Sequence, residues 1–249
     1  MASRIWCTTP TPNSGGWVVL ADFNNDGILD FATSGNLLAL GNGDGTFQTP
    51  APFVSDPPSS GFSGIAAGDI NNDGWADLVL TNSEVDSGIN AYVLMNDQQG
   101  GFTQTTVPSS VGTQQPILVD VNGDGNLDLV LSGVTGDGAD LYLGDGTGAF
   151  TPGPSLGGMV GDLAPGWVVV ADVSGDGIPD VLIQGLDTVV VYVGKGNAKY
   201  ESPFYIGLGW APADLFVANL HGQKPSAGVP DLVEPDGNQG VMVLPNTTK

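Results

Sequence analysis

A nine-residue motif occurs four times in this chain of 249 residues and constrains its fold more than any other feature. The first copy, at 22–30, reads Asp-Phe-Asn-Asn-Asp-Gly-Ile-Leu-Asp, and the others begin at Asp69, Asp120 and Asp172. A fifth segment, at 219–231, keeps the flanking residues but has lost the motif. The five starting positions are 47, 51, 52 and 47 residues apart. Such even spacing indicates tandem structural repeats.

Short apolar runs flank each motif in the same order. Around motif 1 they are Trp-Val-Val-Leu-Ala at 17–21, Asp-Phe-Ala at 30–32 and Leu-Leu-Ala-Leu at 37–40. Most of the runs are short and rich in β-branched or aromatic residues, and turn-forming residues bound them, so they are typical of strands. No segment shows a sustained helical period. After the third run a Gly-rich turn leads to an aromatic residue that predicts a fourth strand, and these aromatics are Phe47, Phe102, Phe150 and Tyr200.

Four strands in a unit of about 50 residues match one blade of a β-propeller, whereas a linear stack of sheets is the competing interpretation. The fifth repeat contains only three apolar runs, and the segment at 4–10 offers a spare strand, with Trp6 in the position of the aromatics. Closure of a ring by this strand would remove exposed sheet edges. We therefore predict an all-β, five-bladed β-propeller with four strands per blade. It is one domain, 1–249, with blades at about 15–55, 62–108, 114–156, 165–207 and 213–249, the last completed by the outer strand 4–10.

The motif has the oxygen donors that a hard cation requires. Side-chain oxygens occur at positions 1, 3, 5 and 9, Gly at position 6 permits a sharp turn, and position 7 offers a carbonyl, which together suit Ca²⁺. An EF-hand is rejected because its last acidic ligand falls at position 12 and helices flank its loop. The predicted ligands are Asp22, Asn24, Asp26, Ile28 and Asp30; Asp69, Asn71, Asp73, Trp75 and Asp77; Asp120, Asn122, Asp124, Asn126 and Asp128; and Asp172, Ser174, Asp176, Ile178 and Asp180, with positions 7 contributing carbonyls.

About four calcium ions follow from the four motifs. The alternative is a solvated turn held by side-chain-to-backbone hydrogen bonds, but three carboxylates in one loop repel each other unless a cation lies among them. The fifth repeat carries Lys224 in place of the motif, so no metal is expected there. Extracellular calcium modules bind at about 10⁻⁴ to 10⁻³ M. Cytosolic calcium is too low to fill such sites, and we therefore expect an extracellular or cell-surface protein, although no signal peptide is recognisable.

The charge balance excludes several functions. Five Lys and Arg against 27 Asp and Glu give a net charge of −22, which argues against nucleic acid and against an anionic membrane surface. No apolar run is long enough to insert into a membrane. One cysteine, Cys7, permits no intrachain disulfide. Catalysis has little support because the single histidine, His221, lies in the degenerate repeat and no catalytic motif is present. The chain is more typical of a binding module than of an enzyme.

The repeats resemble the FG-GAP/VCBS family, whose Asp-rich blades also occur in the heads of integrin α-chains. Leu-Ala-Leu-Gly-Asn-Gly-Asp-Gly-Thr-Phe at 38–47 and Asp-Ile-Asn-Asn-Asp-Gly-Trp-Ala-Asp-Leu-Val at 69–79 carry the resemblance. It implies calcium-binding propellers of extracellular proteins that act in adhesion, in carbohydrate binding or as modules of secreted enzymes. Some fungal lectins with similar blades bind amino sugars. Seven blades are usual in the family, so the position of a ligand pocket does not carry over.

Four aromatic residues lie in or beside the loops between blades, on the face opposite the motifs, and they suit stacking against sugar rings. The competing interpretation places them between blades as core. Trp75, on the motif face, is either an interface residue or an isolated exposed aromatic, and Asp140 is expected in a solvated loop. We expect a lectin-like carbohydrate-binding module, with protein–protein adhesion or a polysaccharide-degrading enzyme or its accessory domain as alternatives. The candidate ligand-binding residues are Trp17, Phe62, Trp167 and Trp210.

Overall fold

A computed structural model describes residues 16–55, 57, 61–82, 90–108, 113–133, 138–157, 167–185, 187–208, 216–218, 231–236 and 240–244. These residues form eighteen strands and no helix, so the described part of the chain contains no helix that could cross a membrane. The predicted closing strand at 4–10 lies outside the described residues, as do Trp210 and Lys224.

The strands form five antiparallel sheets in which sequential strands are neighbours. Sheets 2, 3 and 4 have four strands, whereas sheets 1 and 5 have three. The first three strands of each sheet overlap the three apolar runs of each repeat, and every motif joins the first strand to the second. In chain order the strands are β1 (Val18–Ala21), β2 (Asp30–Thr33) and β3 (Leu37–Ala39); β4 (Gly64–Gly68), β5 (Asp77–Thr81), β6 (Asn90–Asn96) and β7 (Phe102–Pro108); β8 (Thr113–Val119), β9 (Asp128–Gly133), β10 (Ala139–Gly144) and β11 (Phe150–Leu156); β12 (Val168–Ala171), β13 (Asp180–Gln184), β14 (Thr188–Tyr192) and β15 (Phe204–Gly207); and β16 (Phe216–Ala218), β17 (Asp231–Asp236) and β18 (Gly240–Leu244).

The outer strands differ from the prediction in two sheets. Phe102 and Phe150 begin outer strands, as expected. In sheet 1, however, the outer segment after Phe47 is reduced to isolated bridges. The two prolines at 49–52 cannot donate to a ladder, which accounts for this reduction. Tyr200 likewise forms only a bridge, and the outer strand of sheet 4 begins four residues later.

Apolar residues at position 2 of the motifs anchor the sheets to one another. Phe23 is 4% exposed, and its ring lies edge-on to Phe102 of sheet 2, with centroids 6.4 Å apart. Burial of one such side chain contributes roughly 1.5–3 kcal/mol. Each motif is therefore fixed by the sheet that follows it. The buried position-2 residues and the aromatics in the same core clusters are Phe23 with Phe102, Ile70 with Phe150, and Val121 with Tyr200.

A glycine at the end of the third strand allows a close approach to the backbone of the motif. The Gly144 N–H donates to the Asp128 Oδ1 at 2.9 Å. A Cβ on Gly144 would overlap the carbonyl oxygen of Leu127, and Gly41 and Gly194 are equally close to the backbone of their own motifs. A larger residue at Gly41, Gly144 or Gly194 would therefore require the local backbone to shift, as in sheet 2, where Asn96 occupies the corresponding position.

Gly144→Ala is expected to lower the free energy of unfolding by about 1–3 kcal/mol, because the added Cβ would meet the backbone of Leu127, which must shift to accommodate it. Gly207→Ala is the matched control, since its Cβ would meet nothing within 4 Å, and we expect a change within about 0.5 kcal/mol. Urea unfolding measures both variants. Equal effects of the two substitutions would show that the close approach is unimportant.

Candidate metal centre

The aspartate at position 9 of each motif is fully buried, and its carboxylate accepts hydrogen bonds from backbone N–H groups. Asp30, Asp77, Asp128 and Asp180 are each 0% exposed. One carboxylate oxygen accepts the N–H of the position-2 residue, at 2.8–2.9 Å. The other accepts an N–H from the end of the third strand, also at 2.8–2.9 Å. Position 9 therefore closes the motif and ties it to the rest of its sheet.

The side chains at positions 1, 3 and 5 converge near the start of the motif. In motif 1, the Asp26 N–H donates both to the Asp22 Oδ1 and to the Asn24 Oδ1, at 3.1 Å each. Asn24 Nδ2 donates to the Asp26 Oδ2 at 2.8 Å, and the Gly27 N–H donates to the Asp22 Oδ2 at 2.6 Å. Motifs 2 and 3 repeat this arrangement. In motif 4, position 3 is Ser174, whose side chain is shorter than that of asparagine. Its Oγ donates to the Asp172 Oδ1 at 3.3 Å.

Two left-handed residues bend the motif. Position 6 is glycine throughout, with φ between +83° and +88°, as the sharp turn required. Position 4 also has positive φ, from +56° at Asn25 to +83° at Gly175. Only Asn and Gly occupy position 4, and these residues adopt this conformation most readily. This second requirement was not predicted, although the restriction of position 4 to Asn and Gly is visible in the sequence.

In motifs 2 and 3 the pKa of the aspartate at position 9 is raised, mainly by burial and also by neighbouring carboxylates. Burial raises the pKa of Asp77 to about 6, against the hydrogen bonds from the Asn96 and Ile70 N–H groups, and the charges of Asp73 and Asp69 add to the rise. Burial also raises the pKa of Asp128, with the same contribution from its neighbouring carboxylates. In these two motifs, the carboxylates at positions 1, 5 and 9 are thus close enough to repel each other, and a cation among them would relieve that repulsion.

The donor chemistry of the motifs fits calcium, although the side chains are not arranged around an ion. Within the described ranges, no group of three or more Asp, Glu, His or Cys side chains is placed so that it could hold a metal. The carboxylates instead accept N–H groups of their own motif, as in the solvated turn considered above. Their oxygens each have a second acceptor site, and an all-oxygen set with three carboxylates matches a hard cation. The twenty ligands therefore stay a prediction.

Two of the four candidate ligand-binding aromatics lie together. The rings of Trp17 and Trp167 meet edge to face, with centroids 5.0 Å apart, and Trp17 is 42% exposed. Both precede the first strand of a sheet and thus lie at the strand ends opposite the motifs. Phe62 packs against Tyr92 in the core between sheets 1 and 2, at 5.5 Å. Trp75 is partly buried, and its backbone N–H donates to the Asp73 Oδ1 at 2.9 Å.

A cleft of about 460 Å³ lies beside the outer strands of sheets 2 and 3. Its walls include Asp140, which is 7% exposed and accepts a hydrogen bond from Ser155 Oγ at 3.0 Å. The expectation that Asp140 lies in a solvated loop was wrong, because the residue belongs to β10. The pairing of β10 with β11 shifts register next to Asp140. Prolines at 152 and 154 cannot donate there, and they were the sequence signal for this irregularity.

These features define an all-β repeat protein with acidic loops between the first two strands of four of its sheets. A family model described as an FG-GAP-like repeat matches residues 32–80, 72–131 and 120–183. Together the matches span more than half of the chain. The chain belongs to the FG-GAP-like repeat family, which confirms the resemblance drawn from the motifs.

Integrin alpha-7 of Rattus norvegicus is 33% identical over 155 residues, a match that covers 54% of this chain and 14% of the integrin. Integrin alpha-7 of Mus musculus matches equally, over 13% of its length. The chain thus spans only about one seventh of these curated relatives.

Among solved structures, an Agrocybe aegerita lectin that recognises non-reducing terminal N-acetylglucosamine has a TM-score of 0.67 at 22% identity, over 93% of this chain and 63% of the lectin. An auxiliary nutrient-binding protein of Bacteroides ovatus has a TM-score of 0.54 at 11% identity, over 91% of this chain and 56% of that protein. At such identities the likeness concerns the fold alone, which is β-propeller-like.

Proposed function

We propose that this chain is a calcium-stabilised carbohydrate-binding module of the extracellular space or cell surface. Each of the four motifs would bind one calcium ion, and the twenty motif residues named above would be the calcium ligands. The family membership and the mutual repulsion of the motif carboxylates support the metal. The integrin relatives support the compartment, and calcium at about 1 mM outside cells would fill sites of the affinity expected for extracellular modules.

A ring of five blades agrees best with the contact between Trp17 and Trp167. These residues open sheets 1 and 4, and sheets that pack face to face are about 10 Å apart. In a linear stack, sheets 1 and 4 would lie roughly 30 Å apart, whereas the two rings are in contact. Curvature of the array supports a closed propeller, with the segment 4–10 as the outer strand of the last blade.

The contact between the exposed Trp17 and the partly buried Trp167 is the observation that carries the carbohydrate proposal. Trp17 offers a large apolar ring to solvent beside a second indole, and aromatic rings in such positions stack on the apolar C–H faces of sugars. The net charge of −22 disfavours anionic ligands. The Agrocybe aegerita lectin, which shares the fold, recognises terminal N-acetylglucosamine, and glycans ending in this sugar are the first ligands to test.

Trp17→Ala is expected to weaken glycan binding about 2- to 13-fold, because an aromatic contact contributes roughly 0.5–1.5 kcal/mol beyond its buried area. A glycan array in 1 mM calcium would identify the ligand, and calorimetry would compare the variants. Phe204→Ala, which removes another exposed aromatic (48% exposed) from an outer strand, is the control and should bind like the wild type. Asp140→Asn tests whether the cleft beside β10 binds the sugar instead.

Protein–protein adhesion is the second candidate function, favoured by the identity to integrin alpha-7 over 54% of this chain. If no glycan on the array bound, and the chain bound a protein of an extracellular-matrix panel in a calcium-dependent way, the results would favour adhesion. Glycan binding that Trp17→Ala and Asp140→Asn both leave unchanged would contradict the two sites named above and leave the sugar surface elsewhere.

A further inference from the structure

Asn96, at the end of β6, contacts two motifs at once. Its Nδ2 donates to the carbonyl of Phe23 in motif 1 at 2.8 Å and to the carbonyl of Ala76 in motif 2 at 3.1 Å. Its own N–H donates to the Oδ1 of Asp77, the closing residue of motif 2, at 2.8 Å. The side chain is 7% exposed. One buried amide therefore joins residues that flank predicted calcium ligands in two different sheets.

Four sheets are described through the turn that follows the third strand. Among these, only sheet 2 has a residue with a side chain at the position of Asn96. The corresponding residue is Gly41 in sheet 1, Gly144 in sheet 3 and Gly194 in sheet 4, and each donates its N–H to the closing aspartate of its own motif. Glycine has no side chain with which to reach the preceding sheet. Asn96 keeps the backbone hydrogen bond of the repeat and adds a side-chain link that glycine at this position cannot make.

We propose that Asn96 is a positioning residue that couples ion binding in motif 1 to ion binding in motif 2, an inference that rests on the calcium proposal above. Phe23 lies between Asp22 and Asn24, so its carbonyl moves with these two ligands. A buried amide that loses one acceptor incurs the full cost of an unpaired polar group. Any displacement of motif 1 is therefore passed through Asn96 to Asp77, and filling one motif favours the geometry that fills the other.

Terbium provides a readout that is specific to motif 2. Tb³⁺ is a hard cation that substitutes for Ca²⁺, and its emission is sensitised by a nearby indole. Motif 2 alone has tryptophan at position 7, Trp75. Trp75→Phe should abolish the sensitised signal and thereby assign it. Titration of the full chain then gives the half-saturating terbium concentration of motif 2 in each variant.

Asp26→Ala, which disables motif 1, is expected to raise this concentration roughly fivefold when Asn96 is present. In the Asn96→Gly background the same substitution should change it less than about twofold, since the bridge is absent. Asn96→Gly introduces the residue already found at this position in three other sheets, and Asn96→Ala provides a second background if the glycine variant unfolds. Asp44→Ala removes an equal charge from sheet 1 outside the motif and should have little effect in either background.

The outcomes separate the coupling from the calcium proposal. If the wild type shows no sensitised emission and binds no terbium, the calcium proposal fails. If motif 2 binds terbium but Asp26→Ala leaves its affinity unchanged, the coupling is absent and the inference alone is overturned. If Asp26→Ala shifts the terbium affinity equally with Asn96 present and in the Asn96→Gly background, the coupling takes another route and the role of Asn96 is likewise overturned.

Discussion

Removal of calcium is expected to lower the free energy of unfolding by about 6 kcal/mol. At about 1 mM free calcium and a dissociation constant of about 0.1 mM, each site contributes roughly 1.4 kcal/mol, and four motifs contribute four times as much. Stability of this size is comparable to the whole net stability of a typical domain, about 5–15 kcal/mol. For a chain of this length the melting temperature should fall by roughly 12–24 °C. Calorimetry in calcium and in chelator measures the difference.

The effect of calcium should also shrink in acid. Because the pKa of Asp77 in the folded protein is about 6, above the 3.8 of an ordinary aspartate, the calcium-free fold binds a proton more readily than the unfolded chain. Protonation of Asp77 therefore stabilises the calcium-free protein as the pH falls through about 6, and it competes with calcium binding.

Magnesium at the same concentration as calcium is the control for ion specificity, since a site with flexible geometry suits the larger calcium ion. If magnesium raised the free energy of unfolding as much as calcium, the stabilisation would come from general charge screening and not from specific calcium sites.

Asp77→Ala is expected to lower the free energy of unfolding by about 2–5 kcal/mol even in chelator. The carboxylate is fully buried and accepts the N–H groups of Ile70 and Asn96. Without it two buried donors lose their acceptor, and each unsatisfied group costs about 1–3 kcal/mol. Denaturant unfolding in the presence of chelator isolates this structural role from any metal.

Asp73→Ala is the matched comparison, because Asp73 belongs to the same motif but is exposed. It should change stability by less than about 1 kcal/mol in chelator, as expected for a surface residue, while removing the contribution of one calcium site. Asp77→Asn retains one acceptor oxygen and should fall between the two. If Asp73→Ala and Asp77→Ala were equally destabilising in chelator, the distinction between exposed ligand and buried anchor would be wrong.

Much of the fold follows from local chemistry that is visible in the sequence. The apolar runs predict the first three strands of each sheet, because their residues match a pleated, buried surface and turn formers bound them. The motif residues lie between the first and second strands as expected, and Gly at position 6 has the left-handed backbone that the turn requires. The family match confirms the repeat, since the same periodicity underlies both.

Contacts between residues of different sheets could not be predicted from the sequence. Asn96 was not singled out from the sequence, and only the arrangement of sheets 1 and 2 shows that its amide reaches the Phe23 carbonyl. Trp17 and Trp167 are 150 positions apart, and their contact depends on the curvature of the whole array. Asp140 was misplaced because its burial depends on an irregular outer strand, where prolines interrupt pairing. Side-chain hydrogen bonds within the motifs also depend on whether an ion competes for the same oxygens.

The most direct test of the calcium proposal is the number of ions that the chain binds. Equilibrium dialysis against 1 mM calcium should find four ions per chain, and three in Asp26→Ala, because each intact motif would hold one ion. Binding of no calcium at this concentration, or a number that stays the same when a motif is disabled, would contradict the account and leave the motifs as hydrogen-bonded turns.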